Sequence, residues 1–288
     1  MAWQKETLID LLLEAGAIAV CERRELRFEE KPDRSIVTAA DHAIEKLFIS
    51  ALEAPERGTY LIGEETVATK GESYLEAAMR GETYVVDPID GTSPYAHRLP
   101  NWGISVGRME AGALTDGAVY LPDCHEIFIS EGRAVLHGRQ VEGSLTEPRS
   151  GRWEWQEIDG PRLEWNPHTP VAITQALAKK GQVDLPNPVM VLGVAVVPMT
   201  GLLDGRFLAF LGSVKLWDVA GALPLLLRRG FQATVVKDGK VEEVTAWVDE
   251  RAYRLEPGSR KRWAFHSDLL ICDPGARSRF RGSFRMRK

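Results

Sequence analysis

Apolar and polar positions along this 288-residue chain change period several times. Leu8, Leu11, Leu12, Ala15, Ile18 and Ala19 share one face at helical spacing, which predicts a first helix ending near Arg23. Residues 28–36 read as a charged turn or hairpin. A second amphipathic helix follows Val37-Thr38-Ala39-Ala40-Asp41, with Ile44, Leu47, Phe48, Ala51 and Leu52 facing inward. Thr38 and Asp41 have capping-box spacing, with Asp in place of the usual Glu. Pro55 and Gly58 end that helix. Short apolar or alternating runs predict strands at 60–62, 84–86, 102–109, 117–120, 126–130, 207–211, 232–236 and 269–272. Residues 66–80 read as a polar connection. Residues 222–227 read as a helix, with Pro224 kinking it or marking its first turn and Arg228-Arg229-Gly230 closing it.

Between His137 and Pro170 the period is lost, and three tryptophans lie among Gly, Pro, Glu and Arg. That stretch reads as a connection with a surface excursion, the next ordered unit starting near Val171 with Ile173, Ala176 and Leu177 helix-spaced. The expectation is therefore an N-terminal α+β unit, 1–136, and a C-terminal α/β unit, 137–288. Alternating helices and strands in both make the class α/β, a layered fold.

Composition narrows the picture in two places. A formal charge of −5 gives no support for binding nucleic acid or a membrane surface. Asp10 and Glu14 interrupt the apolar N-terminal run, which argues against a leader peptide, and no stretch is long enough to span a bilayer. Cys21, Cys124 and Cys272 are scattered without metal-type spacing, so buried free thiols in a reducing, cytoplasmic setting are expected.

The chemistry concentrates at Tyr84-Val85-Val86-Asp87-Pro88-Ile89-Asp90-Gly91-Thr92. An apolar strand that Pro88 is expected to end gives way to a tight turn presenting Asp87 and Asp90, with the Ile89 carbonyl between them. Gly91 and Thr92 would open a helix. Hard oxygen ligands beside free helix N–H groups suit a divalent cation and a phosphate together. Taken alone, the motif reads equally as a strand-to-helix turn with Asp90 as a cap. Asp41 and Asp218 alone read as helix caps, and Glu64-Glu65 as a solvated strand end.

Four segments in order, Val37-Thr38-Ala39-Ala40-Asp41, Gly63-Glu64-Glu65, Asp87 to Thr92 and Trp217-Asp218-Val219-Ala220-Gly221, together resemble the signature of the inositol monophosphatase family. That family lies within the lithium-sensitive, metal-dependent sugar phosphatases. The resemblance implies an αβαβα sandwich, usually a homodimer, hydrolysing a small phosphorylated alcohol with two or three Mg²⁺ ions. It assigns Glu64, Asp87 and the Ile89 carbonyl to one metal and Asp87, Asp90 and Asp218 to a second. A third, weaker metal would sit near Glu64 and Glu65. Asp41, Glu64 and Thr92 would serve the attacking water, with Asp41 and Thr92 hydrogen-bonded to each other. Backbone N–H groups of Gly91 and Thr92 would take phosphate oxygens, and Gly193-Val194-Ala195 would contact the alcohol.

Inositol-preferring relatives carry an acid where Leu211 stands, so the substrate stays open. Histidinol-phosphate, fructose-1,6-bisphosphate and 3′-phosphonucleotide hydrolysis on the same scaffold are alternatives, the first suggested by Lys31-Pro32-Asp33-Arg34-Ser35. A protein- or RNA-binding role without turnover is another, suggested by Arg277, Arg279, Arg281, Arg285, Arg287 and Lys288 interleaved with Phe280 and Phe284. A loosely packed end is the preferred reading of that tail.

Overall fold

The N-terminal part of the chain runs α1 (Lys5–Glu22), β1 (Phe28–Glu30), β2 (Ile36–Thr38), α2 (Ala39–Leu52), β3 (Thr59–Gly63), α3 (Glu72–Arg80), β4 (Glu82–Asp90) and α4 (Thr92–Ala96). It continues through β5 (Gly103–Glu110), β6 (Ala113–Leu121), β7 (Glu126–Glu131), β8 (Ala134–Ser144) and β9 (Glu147–Glu157). Then come β10 (Val171–Ile173), α5 (Gln175–Lys180), β11 (Gly181–Val183), β12 (Val189–Met190), α6 (Val196–Leu203) and β13 (Ala209–Gly212). The chain finishes with α7 (Leu216–Ala220), α8 (Leu223–Arg228), β14 (Gln232–Lys237), β15 (Lys240–Val244), β16 (Leu269–Cys272) and β17 (Phe284–Met286). This computed structural model describes residues 3–25, 28–30, 36–160, 164–237, 240–280 and 284–286. The Lys31–Ser35 run and Arg281, Arg287 and Lys288 of the tail lie outside them.

Two sheets organise the molecule. The first has seven strands in the order β3-β4-β5-β6-β7-β8-β9, antiparallel except for β3 beside β4. The second has six, ordered β12-β10-β13-β16-β14-β15. Alternation along β4 explains the layering: Tyr84 and Val86 point to α1 and α2, whereas Val85 points to α6, α7 and α8 between the sheets. The outer face of the second sheet packs Ile173, Leu211 and Cys272 against Leu177 of α5 and Phe280. Five layers, αβαβα, result, as expected.

Several local expectations need correction. Pro88 does not end its strand. Asp87 pairs with Ser105 and Asp90 with Gly103, so three steps along β4 oppose two along β5. That bulge accommodates a residue with no N–H to donate. Residues 72–80, read as connection, form α3, a helix that buries only Leu75 and Ala78. The expected excursion is largely the β8–β9 hairpin, and His137 sits inside β8. Residues 171–173 are a strand, the helix starting only at Gln175. Cys272 is buried as expected, but Cys21 and Cys124 are exposed. The described part of the tail is pinned: Phe280 is buried edge-on to Trp165, Arg279 lies over Trp165, and β17 pairs with β11. No described helix is long and apolar enough to cross a membrane.

Candidate active site

The bulge in β4 builds the site. Residues three apart on a regular strand face opposite sides, but the extra residue restores parity. Asp87 and Asp90 therefore share the face of Ser105 and Gly103. Ser105 fixes what lies opposite, because its Oγ donates to the Trp217 carbonyl (3.3 Å) and accepts from the Gly221 N–H (3.1 Å). α7 is thus clamped over the two aspartates, and Asp218 projects from its first turn, accepting the Lys215 N–H at 2.7 Å. Glu64 arrives from the end of β3, where its N–H reaches the Val86 carbonyl (3.2 Å).

Glu64, Asp87, Asp90 and Asp218 line one cleft of about 490 Å³ together with Ile89, Gly91, Thr92, Gly193, Val194 and Ala195. Asp41 is fully buried below it, its Oδ2 accepting from Thr38 N–H (2.8 Å) and Oγ1 (2.6 Å) in the expected capping box. Burial, then the negative charge of Glu64, Asp90, Asp218 and Asp41, holds Asp87 well above the ordinary carboxylate range. Asp90 is also well raised, by burial and then by Asp218, against hydrogen bonds from Val196 and Ala195. Burial raises Asp218, with Lys215 opposing.

Gly91 takes a left-handed φ of 87° to turn the chain into α4. A Cβ there would come within 3.1 Å of the Asn101 carbonyl oxygen and of Val194, so only glycine keeps this corner narrow.

The family model for the inositol monophosphatase family matches residues 4–262. The chain belongs to that family. Human inositol monophosphatase 1 is 28% identical over 230 residues, covering 76% of this chain and 79% of its own length. Among solved structures, an IMPase of Thermotoga maritima superposes with a TM-score of 0.67 at 18% identity, covering 96% of this chain and 94% of its own. An IMPase/NADP phosphatase complexed with Mg²⁺ and phosphate gives 0.68 at 15%, covering 96% and 92%. Membership of the inositol monophosphatase family makes this chain a phosphatase of that superfamily.

One expected contact differs. Thr92 Oγ1 donates to the Ile89 carbonyl (3.1 Å) instead of to Asp41, since the first turn of α4 brings that carbonyl within reach. The Ala195 and Val196 N–H groups bind Asp90 Oδ2 at 2.8 and 2.5 Å, which ties the Gly193-Val194-Ala195 loop to the acidic cluster while all three residues line the cleft. Glu65 lines a neighbouring cavity instead of the cleft.

Sequence reasoning missed Glu45. It is buried one turn beyond Asp41 and accepts the Glu65 and Thr66 N–H groups, one on each carboxylate oxygen at 2.9 Å. It thereby sets the turn that carries Glu64. Spacing of four residues from Asp41 on one helix face was the available signal. Thr174, Gln175 and Ser213 also line the cleft and were missed, because polar residues at strand ends carry no distinguishing pattern.

The donor set suits a hard divalent cation. Asp87 Oδ1 is buried with no hydrogen-bond partner among the described residues, in a site whose carboxylates repel each other. The one group of three potential ligand atoms within 4.8 Å of each other among the described residues lies elsewhere, at Glu126, His137 and Asp204. Arg206 already lies 2.8 Å from Glu126 and 2.7 Å from Asp204 and supplies the positive charge there.

Proposed function

We propose that this chain is a Mg²⁺-dependent phosphomonoesterase acting on a small phosphorylated alcohol. The observation that carries the reading is the convergence of Glu64, Asp87, Asp90 and Asp218 on one cleft beside the Gly91–Thr92 corner, with Asp87 Oδ1 lacking a hydrogen-bond partner among the described residues. Glu64, Asp87, Asp90, Asp218 and the Ile89 carbonyl would hold two or three Mg²⁺. Bound magnesium would supply the charge that offsets phosphoryl repulsion and acidify the attacking water.

The chain's own groups do the remaining work. Backbone N–H groups of Gly91 and Thr92 receive phosphate oxygens, and the narrow corner lets them approach closely. Glu64 accepts a proton from water placed in line, and the Thr92 hydroxyl fixes that water's orientation. Asp41 acts as a positioning residue through Thr38 and the start of α2. The alcohol sits against Gly193, Val194, Thr174, Gln175 and Ser213. Leu211 is buried in the outer core, away from this cleft, so no acid recognises sugar hydroxyls from that position. Among the described residues no lysine or arginine lines the cleft, which favours a small alcohol over a substrate needing a second cationic anchor there.

Release of inorganic phosphate from a panel of phosphomonoesters tests this. Activity should need Mg²⁺, disappear with EDTA and fall with added lithium. Asp90→Asn should abolish turnover in a folded protein, and near-normal turnover in that variant would refute the assignment. Light scattering tests the proposed homodimer, which should show twice the monomer mass.

A further inference from the structure

A second cavity, of about 480 Å³, adjoins the catalytic cleft and shares Glu64 with it. Its apolar floor includes Leu75, Trp217 and Trp263, all buried. Four cations line it: Lys70, Lys215, Arg260 and Arg262. Two are spent, Lys70 on Glu53 at 2.7 Å and Arg262 on Glu72 at 2.6 Å. Among the described residues, neither Lys215 Nζ nor the Arg260 guanidinium lies within ion-pair distance of a carboxylate. Two wall donors, Trp217 Nε1 and Arg262 Nε, are buried without a hydrogen-bond partner among the described residues.

The wall is built, not draped. Residues Trp263 and Ala264 are tied to the start of α7: Leu216 N–H donates to the Trp263 carbonyl (2.9 Å), and Lys215 bridges Ala264. Lys215 Nζ lies 5.0 Å from the Trp217 ring centroid, and the Arg262 guanidinium 5.1 Å from that of Trp263. Lys215 and Arg260 outside any described ion pair, donors without acceptors and a floor of indole rings describe a receptor for negative charge attached to a flat apolar body. Glu64, Glu65 and Glu72, the last paired with Arg262, line the same cavity and would repel such a charge, which directs it to the Arg260–Lys215 rim. The volume exceeds what a bare phosphate fills.

We propose that this cavity binds a small aromatic anion as a ligand separate from the substrate. Naphthalene-2-sulfonate, which cannot be hydrolysed by a phosphatase, is a suitable probe. Titration followed by calorimetry and tryptophan fluorescence should show one saturable site, with quenching from Trp217 and Trp263. Arg260→Ala, on an exposed turn outside the catalytic machinery, should weaken binding roughly three- to tenfold, and Arg260→Lys should restore most of it. Saturating Mg²⁺ and inorganic phosphate should not compete. Asp90→Asn should bind the probe normally, so failed phosphate release there separates the catalytic assignment from this one. Competition by phosphate would put the probe in the catalytic cleft and overturn the proposal. Absence of saturable binding, or indifference to Arg260→Ala, would overturn it equally.

Discussion

At the scale of single residues, the clustered carboxylates should cost stability unless a cation is present. Asp87 and Asp90 are raised because their charged forms are disfavoured in the folded state. The penalty is therefore present above their folded pKa values and is relieved as pH falls through them. In EDTA at mildly alkaline pH, Asp87→Asn should raise the melting temperature, by about 2–4 °C for each kcal/mol of repulsion removed. Magnesium should stabilise the native sequence and leave the variant almost unmoved, while phosphate release falls by roughly a thousandfold or more. Calorimetry with and without magnesium reads both, and a variant still stabilised by the metal would show that Asp87 is not a ligand. Glu45 makes a different kind of claim. Glu45→Gln turns one acceptor into a donor facing a backbone N–H, a mismatch of about 1–3 kcal/mol. The expected signature is a higher magnesium requirement, because the Glu64 turn loosens. Destabilisation with unchanged magnesium activation would make Glu45 merely structural.

At the scale of elements, the position of Asp218 depends on how closely α7 and the start of α8 lie on the first sheet. Gly107 and Gly117 make that possible: a Cβ on either would overlap a backbone carbonyl, of Ala220 or of Gly221. Gly117→Ala should destabilise by about 1–3 kcal/mol and lift the end of α7. Phosphate release per folded molecule should drop along with the melting temperature. Normal specific activity in the folded fraction would show that Asp218 tolerates the shift. Packing of this kind explains what the chain made legible. Strands whose two faces meet different cores, such as β4 and β5, announce themselves by alternation or by unbroken apolar runs. The β8–β9 hairpin does not, since its register shifts between Gln140 and Glu142, and again before Ser144, scramble the period. Arg149 of that hairpin reaches Asp10 and Glu14 on α1, so a polar residue shares the docking with Trp153 and Leu136. α3 did carry a stripe, Tyr74, Leu75, Ala78 and Met79 at helical spacing, which went unread among the polar residues around it. The acidic cluster was readable because three of its members adjoin a punctuation residue, Glu64 at Gly63, Asp87 at Pro88 and Asp90 at Gly91, and Asp218 lies three residues before Gly221. The bulge that aims Asp87 and Asp90 together was not, since it is a relation between two strands.

At the scale of the whole molecule, one ionic network ties the first sheet to the helices between the sheets. Glu126 of β7 lies 3.3 Å from His137 Nε2 on β8 and 2.8 Å from Arg206, which follows α6 and also binds Asp204. Burial alone would raise Glu126, but the neighbouring His137 and the charge of Arg206 outweigh it, and its pKa is lowered. A depressed carboxylate contributes stability that is complete above its unfolded value, about 4.3, and is lost as pH falls through the folded value. Arg206 is 40% exposed, so solvent screens part of that contribution. Glu126→Gln should therefore unfold at lower urea than the native sequence at pH 7. The gap between the two midpoints should hold down to about pH 5 and then close below about 4.3. EDTA should leave the gap unchanged, because a guanidinium and not a metal supplies the positive charge. Equal midpoints at pH 7 would show that the network adds nothing to cohesion. A gap that EDTA abolished would turn Glu126, His137 and Asp204 into a true cation site, with Arg206 as its neighbour.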